Sequence, residues 1–101
     1  MKMTALESRK RQVLKIILTC ERPGSDYDRP YEASLQGVMD TIGVKRTSMN
    51  YCIQELVNED MITFQQFHVR TKDGKIHQKS RFPMLTRKGR EYTQRILREE
   101  T

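Results

Sequence analysis

Apolar residues along this 101-residue chain fall into blocks of differing period, and each change of period predicts a change of element. Leu6, Lys10, Val13, Leu14, Ile17 and Leu18 recur at helical spacing and predict a first helix over residues 4–20. The Lys10 stem can lie along that stripe with its charge outside. Pro23-Gly24-Ser25-Asp26 stops the helix, and a polar loop runs on to Pro30. From Ser34 the helical pattern resumes, with Leu35, Val38, Met39 and Ile42 on one face until Gly43 breaks the run. A further helix over Arg46–Asn58 carries Met49, Cys52, Ile53 and Leu56 at i, i+3, i+4 and i+7, which is one buried stripe.

After Asp60 the period shortens. Ile62 and Phe64, then Phe67 and Val69, predict an extended segment with a slip near Gln65-Gln66. Lys72-Asp73-Gly74-Lys75 contains Asp-Gly, the residue pair that a tight turn with positive φ prefers, so residues 62–84 predict a hairpin. Ile76, Phe82 and Met84 share parity on the return strand. Pro83 has no N–H to give to a ladder, so the strand's end lies at a sheet edge or is leaving the sheet. Thr86 is placed to cap a last helix over residues 87–100, whose apolar side is Tyr92, Ile96 and Leu97. There are no internal repeats. The predicted class is mostly α with a small β-hairpin (α+β), folded as a single domain over residues 1–101.

Composition narrows the reading. Hydrophobic residues are 36% and charged residues 32%, a composition that folds around a small core. No apolar run approaches the roughly 20 residues that span a bilayer. Met1-Lys2-Met3-Thr4 leads into a charged stretch rather than an apolar signal core, and Cys20 and Cys52 are too few for a disulfide scaffold. The expectation is a cytoplasmic protein without a membrane partner. The net charge is +6 and the pI about 9.6. Residues 43–90 carry ten Lys or Arg against four acids, whereas residues 21–42 are net acidic. A cluster of cations on one segment is the footprint of a polyanion binder.

Residues 34–58 form one unit. Two short helices meet at Gly43-Val44, with no room for a longer loop, which is the sequence form of a helix-turn-helix. On the second helix, Thr47, Asn50, Tyr51 and Gln54 repeat the spacing of the inward stripe on the opposite face. All four can hydrogen-bond, and no carboxylate interrupts them. Asn and Gln can make paired contacts to adenine, and Thr can touch a thymine methyl. Lys45 and Arg46 stand at the helix start, where free N–H groups favour phosphate, and Ser48 is a further candidate contact on the same helix. The hairpin adds Arg70, Lys72, Lys75, Lys79 and Arg81 against the lone Asp73, as a basic arm along phosphates or in a minor groove would.

These residues resemble a known family. Ser34-Leu35-Gln36-Gly37-Val38, then Gly43-Val44-Lys45-Arg46-Thr47-Ser48, then Leu56 to Ile62, look like a winged helix-turn-helix. Leu85-Thr86-Arg87-Lys88-Gly89-Arg90-Glu91 looks like the segment that follows the wing in many such proteins. The combination is similar to small MarR-like regulators of the archaeal type. The resemblance implies a three-helix core, a wing over about residues 62–84, a recognition helix from Lys45 to Gln54 and a final helix used in dimerisation. The chain departs from the family pattern at Met39, Lys45 and Pro83.

The apolar residues of the terminal helices span an arc that looks too wide for one small core. Leu6, Val13, Leu14, Ile17, Tyr92, Ile96 and Leu97 are therefore expected to bury against a second copy, giving a homodimer with recognition helices about 34 Å apart. Cys20, Cys52, His68 and His77 show no ligand spacing for zinc, and no phosphate loop, hydrolase elbow or catalytic carboxylate pair is present. The expected function is sequence-specific binding of double-stranded DNA by a transcriptional regulator. No enzyme activity and no cofactor is expected, and the sequence is silent on a small-molecule effector. A protein-interaction module and an RNA- or single-strand-binding domain are the alternatives. The first would call for an apolar or acidic face, the second for exposed aromatics on a sheet or groove.

Overall fold

A computed structural model of the protein describes residues 3–21 and 27–100. Along them run α1 (Ala5–Cys20), β1 (Asp28–Pro30), one 3₁₀ turn (Tyr31–Ala33), α2 (Leu35–Ile42), α3 (Arg46–Asn58), β2 (Ile62–Arg70), β3 (Ile76–Leu85) and α4 (Arg87–Glu99). The architecture is α+β, four α-helices with a three-stranded sheet. The expected helix stop at Pro23-Gly24-Ser25-Asp26 lies outside the described residues.

Three of the helices begin where a hydroxyl can accept a first-turn N–H. Thr4 Oγ1 accepts from Glu7, Ser34 Oγ from Gly37 and Thr86 Oγ1 from Gly89, at 3.1, 3.0 and 2.9 Å. The stripes read from the sequence then meet in one core. Val13, Leu14 and Ile17 of α1 pack with Val38 and Met39 of α2 and with Met49, Cys52, Ile53 and Leu56 of α3. Met61, Ile62 and Leu85 close it from the sheet side.

The sheet has the order β1-β2-β3. The hairpin pairs antiparallel from Ile62↔Leu85 to His68↔Lys79. Pro83 sits on the edge strand, where a missing N–H costs no ladder bond. The pairing departs from expectation in two places. It runs unbroken through Gln65↔Phe82 and Gln66↔Arg81, and the irregularity falls instead between His68 and Arg70. The apolar phase of β2 changes because the hairpin is covered on opposite faces at its two ends. Ile62 and Phe64 join the helical core, whereas Phe67, Val69 and Phe82 form a second cluster with Ala33 and Met84. The same switch explains β3, where Ile76 is exposed while Phe82, Pro83 and Leu85 are all buried.

Residues 28–30, expected as loop, form a strand parallel to β2 in the register Asp28↔His68, Arg29↔Val69 and Pro30↔Arg70. Nothing in Asp-Arg-Pro alternates in hydrophobicity, so the strand is held by its partner. Asp28 pairs with Arg70 at 2.9 Å, the Arg29 guanidinium lies 4.7 Å over the Phe67 ring, and Tyr27 packs its ring on His68 with centroids 4.5 Å apart. Such contacts between distant residues leave no periodic trace.

One junction ties α3, the sheet and α4 together. Asp60, at φ 59°, turns the chain out of α3, and Met61 N–H returns to the Leu56 carbonyl at 2.9 Å. The Met61 carbonyl accepts from Thr86 N–H at 3.0 Å, and Thr86 Oγ1 donates to the Asp60 carbonyl at 2.6 Å. Lys88 Nζ adds a bond to the Glu59 carbonyl at 3.0 Å. Gly89 makes this approach possible, since a Cβ there would stand 1.9 Å from the Met61 oxygen.

Thr86→Ala removes the cap and the bond to Asp60, and is expected to cost about 1–2 kcal/mol in urea unfolding, with Thr86→Ser retaining most of the stability. Gly89→Ala forces α4 off the turn and is expected to cost about 1–3 kcal/mol. A melting curve unchanged by either would show that the junction is not structural.

Burial pushes the Cys52 thiol upward from its ordinary value of 9.0. The unfolded chain then loses this proton before the folded one does. Stability from this group is full below the ordinary thiol range and is lost as pH rises through the raised value. The urea midpoint should fall at alkaline pH, and Cys52→Ala should fall less steeply. An equal fall in both would assign the slope to other groups.

Candidate nucleic-acid interface

Gly43 caps α2 in the left-handed conformation at φ 74°, which lets the chain reverse within two residues. Its N–H bonds the Met39 carbonyl at 2.9 Å, and the half-buried Val44 packs onto the core. The α3 helix therefore starts within three residues of the Gly43 turn. Met49, Cys52, Ile53 and Leu56 turn inward, and Thr47, Asn50, Tyr51 and Gln54 are exposed on the other side. Tyr51 keeps 59% of its surface open. Ser48 is half-buried at the margin. Gln54 is the one committed member of the outer stripe, its Nε2 donating to Asn58 Oδ1 at 3.1 Å.

Lys45 is the residue before α3 and makes no side-chain cap bond, unlike the caps of the other three helices. The first-turn N–H groups of α3 thus face an exposed Lys45 and Arg46 rather than a capping oxygen. No acidic residue lies in that turn.

The hairpin cations divide into three kinds. Arg70 is paired with Asp28, and Arg81 is held 4.2 Å over the Phe64 ring. Lys75 lies 4.0 Å from Asp73 at the turn. The Asp73 carboxyl is held below the usual carboxylate range, first by the Thr71 hydroxyl and then by the Lys75 N–H at 3.2 Å. Lys72 and Lys79 are exposed and make no ion pair among the described residues.

Elsewhere, carboxylates compensate many of the cations. Lys10 pairs with Glu59, and Lys15 and Arg11 both reach Glu100. Arg90 bonds Glu21 at 2.6 Å, and Arg87 lies 3.3 Å from Glu91. Burial alone would lower Lys10, but the hydrogen bond and charge of Glu59 outweigh it and carry the ammonium upward. In the net acidic segment 21–42, Asp40 accepts from the Tyr31 hydroxyl at 2.5 Å and from Gln36 at 2.9 Å, and both lower its carboxyl.

The terminal helices pack on each other within one chain, which corrects the expected interface. Val13, Leu14, Ile17 and Ile96 are buried in the monomer and offer no surface to a second copy. Leu6 and Tyr92 pack at the rim of the same core. The wide apolar arc of α1 needs no second copy to cover it. It is covered by α2, α3 and β3 together with α4. Of the seven, Leu97 alone is exposed, at 39%.

The sequence missed Tyr27, Asp28 and Arg29, which reach the hairpin only through the unforeseen β1. Among the described residues, no group of three or more His, Cys, Asp or Glu is placed to hold a metal, and no helix is long and apolar enough to cross a membrane. Set against protein-family models, curated proteins and solved structures, the chain matches none of them.

Proposed function

We propose that the protein is a winged helix-turn-helix module of MarR-like type that binds double-stranded DNA and acts as a transcriptional regulator. In this reading α2 and α3 are the helix-turn-helix, α3 enters the major groove, and the β2–β3 hairpin is the wing. The element order, three helices with a strand before the second and a hairpin after the third, supports it. The observation that carries it is the distribution of charge around α3. Lys45, Arg46, Lys72 and Lys79 make no ion pair among the described residues, whereas Lys10, Lys15 and Arg90 are tied to carboxylates. A polyanion gains most at cations that no carboxylate already neutralises. Between Lys45 and Gln54 the outward side chains are polar or cationic and none is acidic, which fits a groove floor of base edges better than an apolar protein partner.

A two-fold pair would suit a palindromic operator. Its contact would have to use what the core leaves exposed on α4, with Leu97 foremost, and not the buried residues of α1. Leu97→Glu is then expected to shift sedimentation equilibrium from dimer toward monomer with the melting temperature little changed. A wild-type monomer at tens of micromolar that binds its site fully would refute the pair.

Duplex binding is expected to weaken steeply with salt, log K falling by about 0.9 per neutralised phosphate for each unit of log [salt]. Lys72→Ala should flatten that slope by about one contact without altering the preferred sequence. A salt-independent affinity would contradict the proposal.

Asn50→Ala is expected to cost about 1–3 kcal/mol on a preferred sequence and less on a random one. Gln54→Ala should cost less than Asn50→Ala, because Gln54 must first give up Asn58. Equal losses on every sequence would mean that α3 positions the protein without reading bases.

A further inference from the structure

A cavity of about 140 Å³ lies where α1, the end of α3 and α4 meet, and it shares no residue with the proposed duplex interface. Leu14 and Leu56, both 1% exposed, form its inner lining, with Met61 and the half-buried Tyr92 beside them. Glu7, Lys10 and Glu59 supply its polar lining, and Glu7 is exposed. One end of the cavity is therefore apolar and buried, and the other is charged and open to solvent. An apolar cavity of about this volume admits a benzene-sized body.

The charge at the open end is uneven. Lys10 is already paired with Glu59. Glu7 makes no ion pair among the described residues. Arg11, one turn on from Glu7, reaches Glu100 instead. Arg9 stands two residues from Glu7, a spacing that puts the two side chains on different faces of α1. Glu55 adds a further negative charge that acts on the Lys10 ammonium. The open end is thus net negative in a chain whose net charge is +6. It repels a carboxylate or a phosphate and attracts a cation.

We infer that this cavity binds a small organic cation, a protonated primary amine on a compact apolar body. The ammonium sits at Glu7, and the body fills the space against Leu14, Leu56, Met61 and Tyr92. Binding there does not depend on the duplex reading. The ligand touches α1, the last turn of α3 and α4 at once, beside the turn that Thr86 and Gly89 hold.

Benzylamine is the probe, since its ring suits the volume and its amine is protonated at pH 7. Benzyl alcohol, neutral and of nearly the same shape, and benzoate, an anion, are the controls at equal ionic strength. Methionine methyl resonances read the site directly, with Met61→Leu identifying the Met61 signal. Benzylamine should move the Met61 methyl saturably and leave that of Met84, which packs in the second cluster, in place. Benzyl alcohol should bind at least about fivefold more weakly, and benzoate more weakly still. Glu7→Gln should weaken benzylamine about fivefold, leave benzyl alcohol unchanged and keep the circular-dichroism melt close to wild type. No saturable shift at Met61 up to tens of millimolar benzylamine would overturn the inference, as would a shift shared equally by Met84. Equal affinity for the amine and the alcohol, tighter binding of benzoate, or wild-type benzylamine affinity in Glu7→Gln would overturn it as well, and the duplex reading would stand in each case.

Discussion

The contact on which the rest of the structure depends is the approach of α4 to the turn after α3. Three backbone carbonyls, those of Glu59, Asp60 and Met61, accept from Lys88 and Thr86. The residue beneath them must be glycine for α4 to come so close. This junction joins the end of α3, the start of β2, the end of β3 and the start of α4. It therefore sets the direction in which the hairpin leaves the core relative to α3. If two separate surfaces are to meet one nucleic acid, that angle is the quantity the chain has to hold. The hydrogen bonds involved are each worth about 1 kcal/mol net, but breaking them together exposes several carbonyls at once.

Charge is sorted along the same frame. The α1–α4 pair is laced by Lys15–Glu100 and Arg90–Glu21, and α1 reaches the end of α3 through Lys10–Glu59. These pairs are partly exposed and contribute little stability individually. Their larger effect is to neutralise part of the positive charge on the terminal helices. Among the described residues, Lys45, Arg46, Lys72 and Lys79 at the start of α3 and on the hairpin make no ion pair, and on the terminal helices Arg9 and Arg95 also make none. A net charge of +6 would say little by itself, and its distribution is what favours the proposed interface.

Much of this was legible in the sequence. The helices and the hairpin follow from periodicity, and Ser34, Gly43 and Thr86 mark their ends by side-chain chemistry that acts locally. The outer stripe of α3 was readable because a helix that buries Met49, Cys52, Ile53 and Leu56 must expose what lies opposite. What stayed hidden depends on distant partners. The β1 strand exists through Asp28–Arg70, Arg29 over Phe67 and Tyr27 on His68, none of which leaves a local pattern. The change of covered face along β2 mimicked a register slip, since periodicity records which side is buried and not what buries it. The terminal helices misled for a related reason: a wide apolar arc shows that much surface must be covered, but not whether one chain can cover it.

The account's central claim is that the outer face of α3 and the unpaired cations beside it bind duplex DNA and read its sequence. Selection of bound duplexes from a random pool tests this most directly. The account predicts that successive rounds enrich a short shared motif, and that Asn50→Ala enriches a more degenerate one. A pool that stays random, with the protein folded and present in excess, would contradict it.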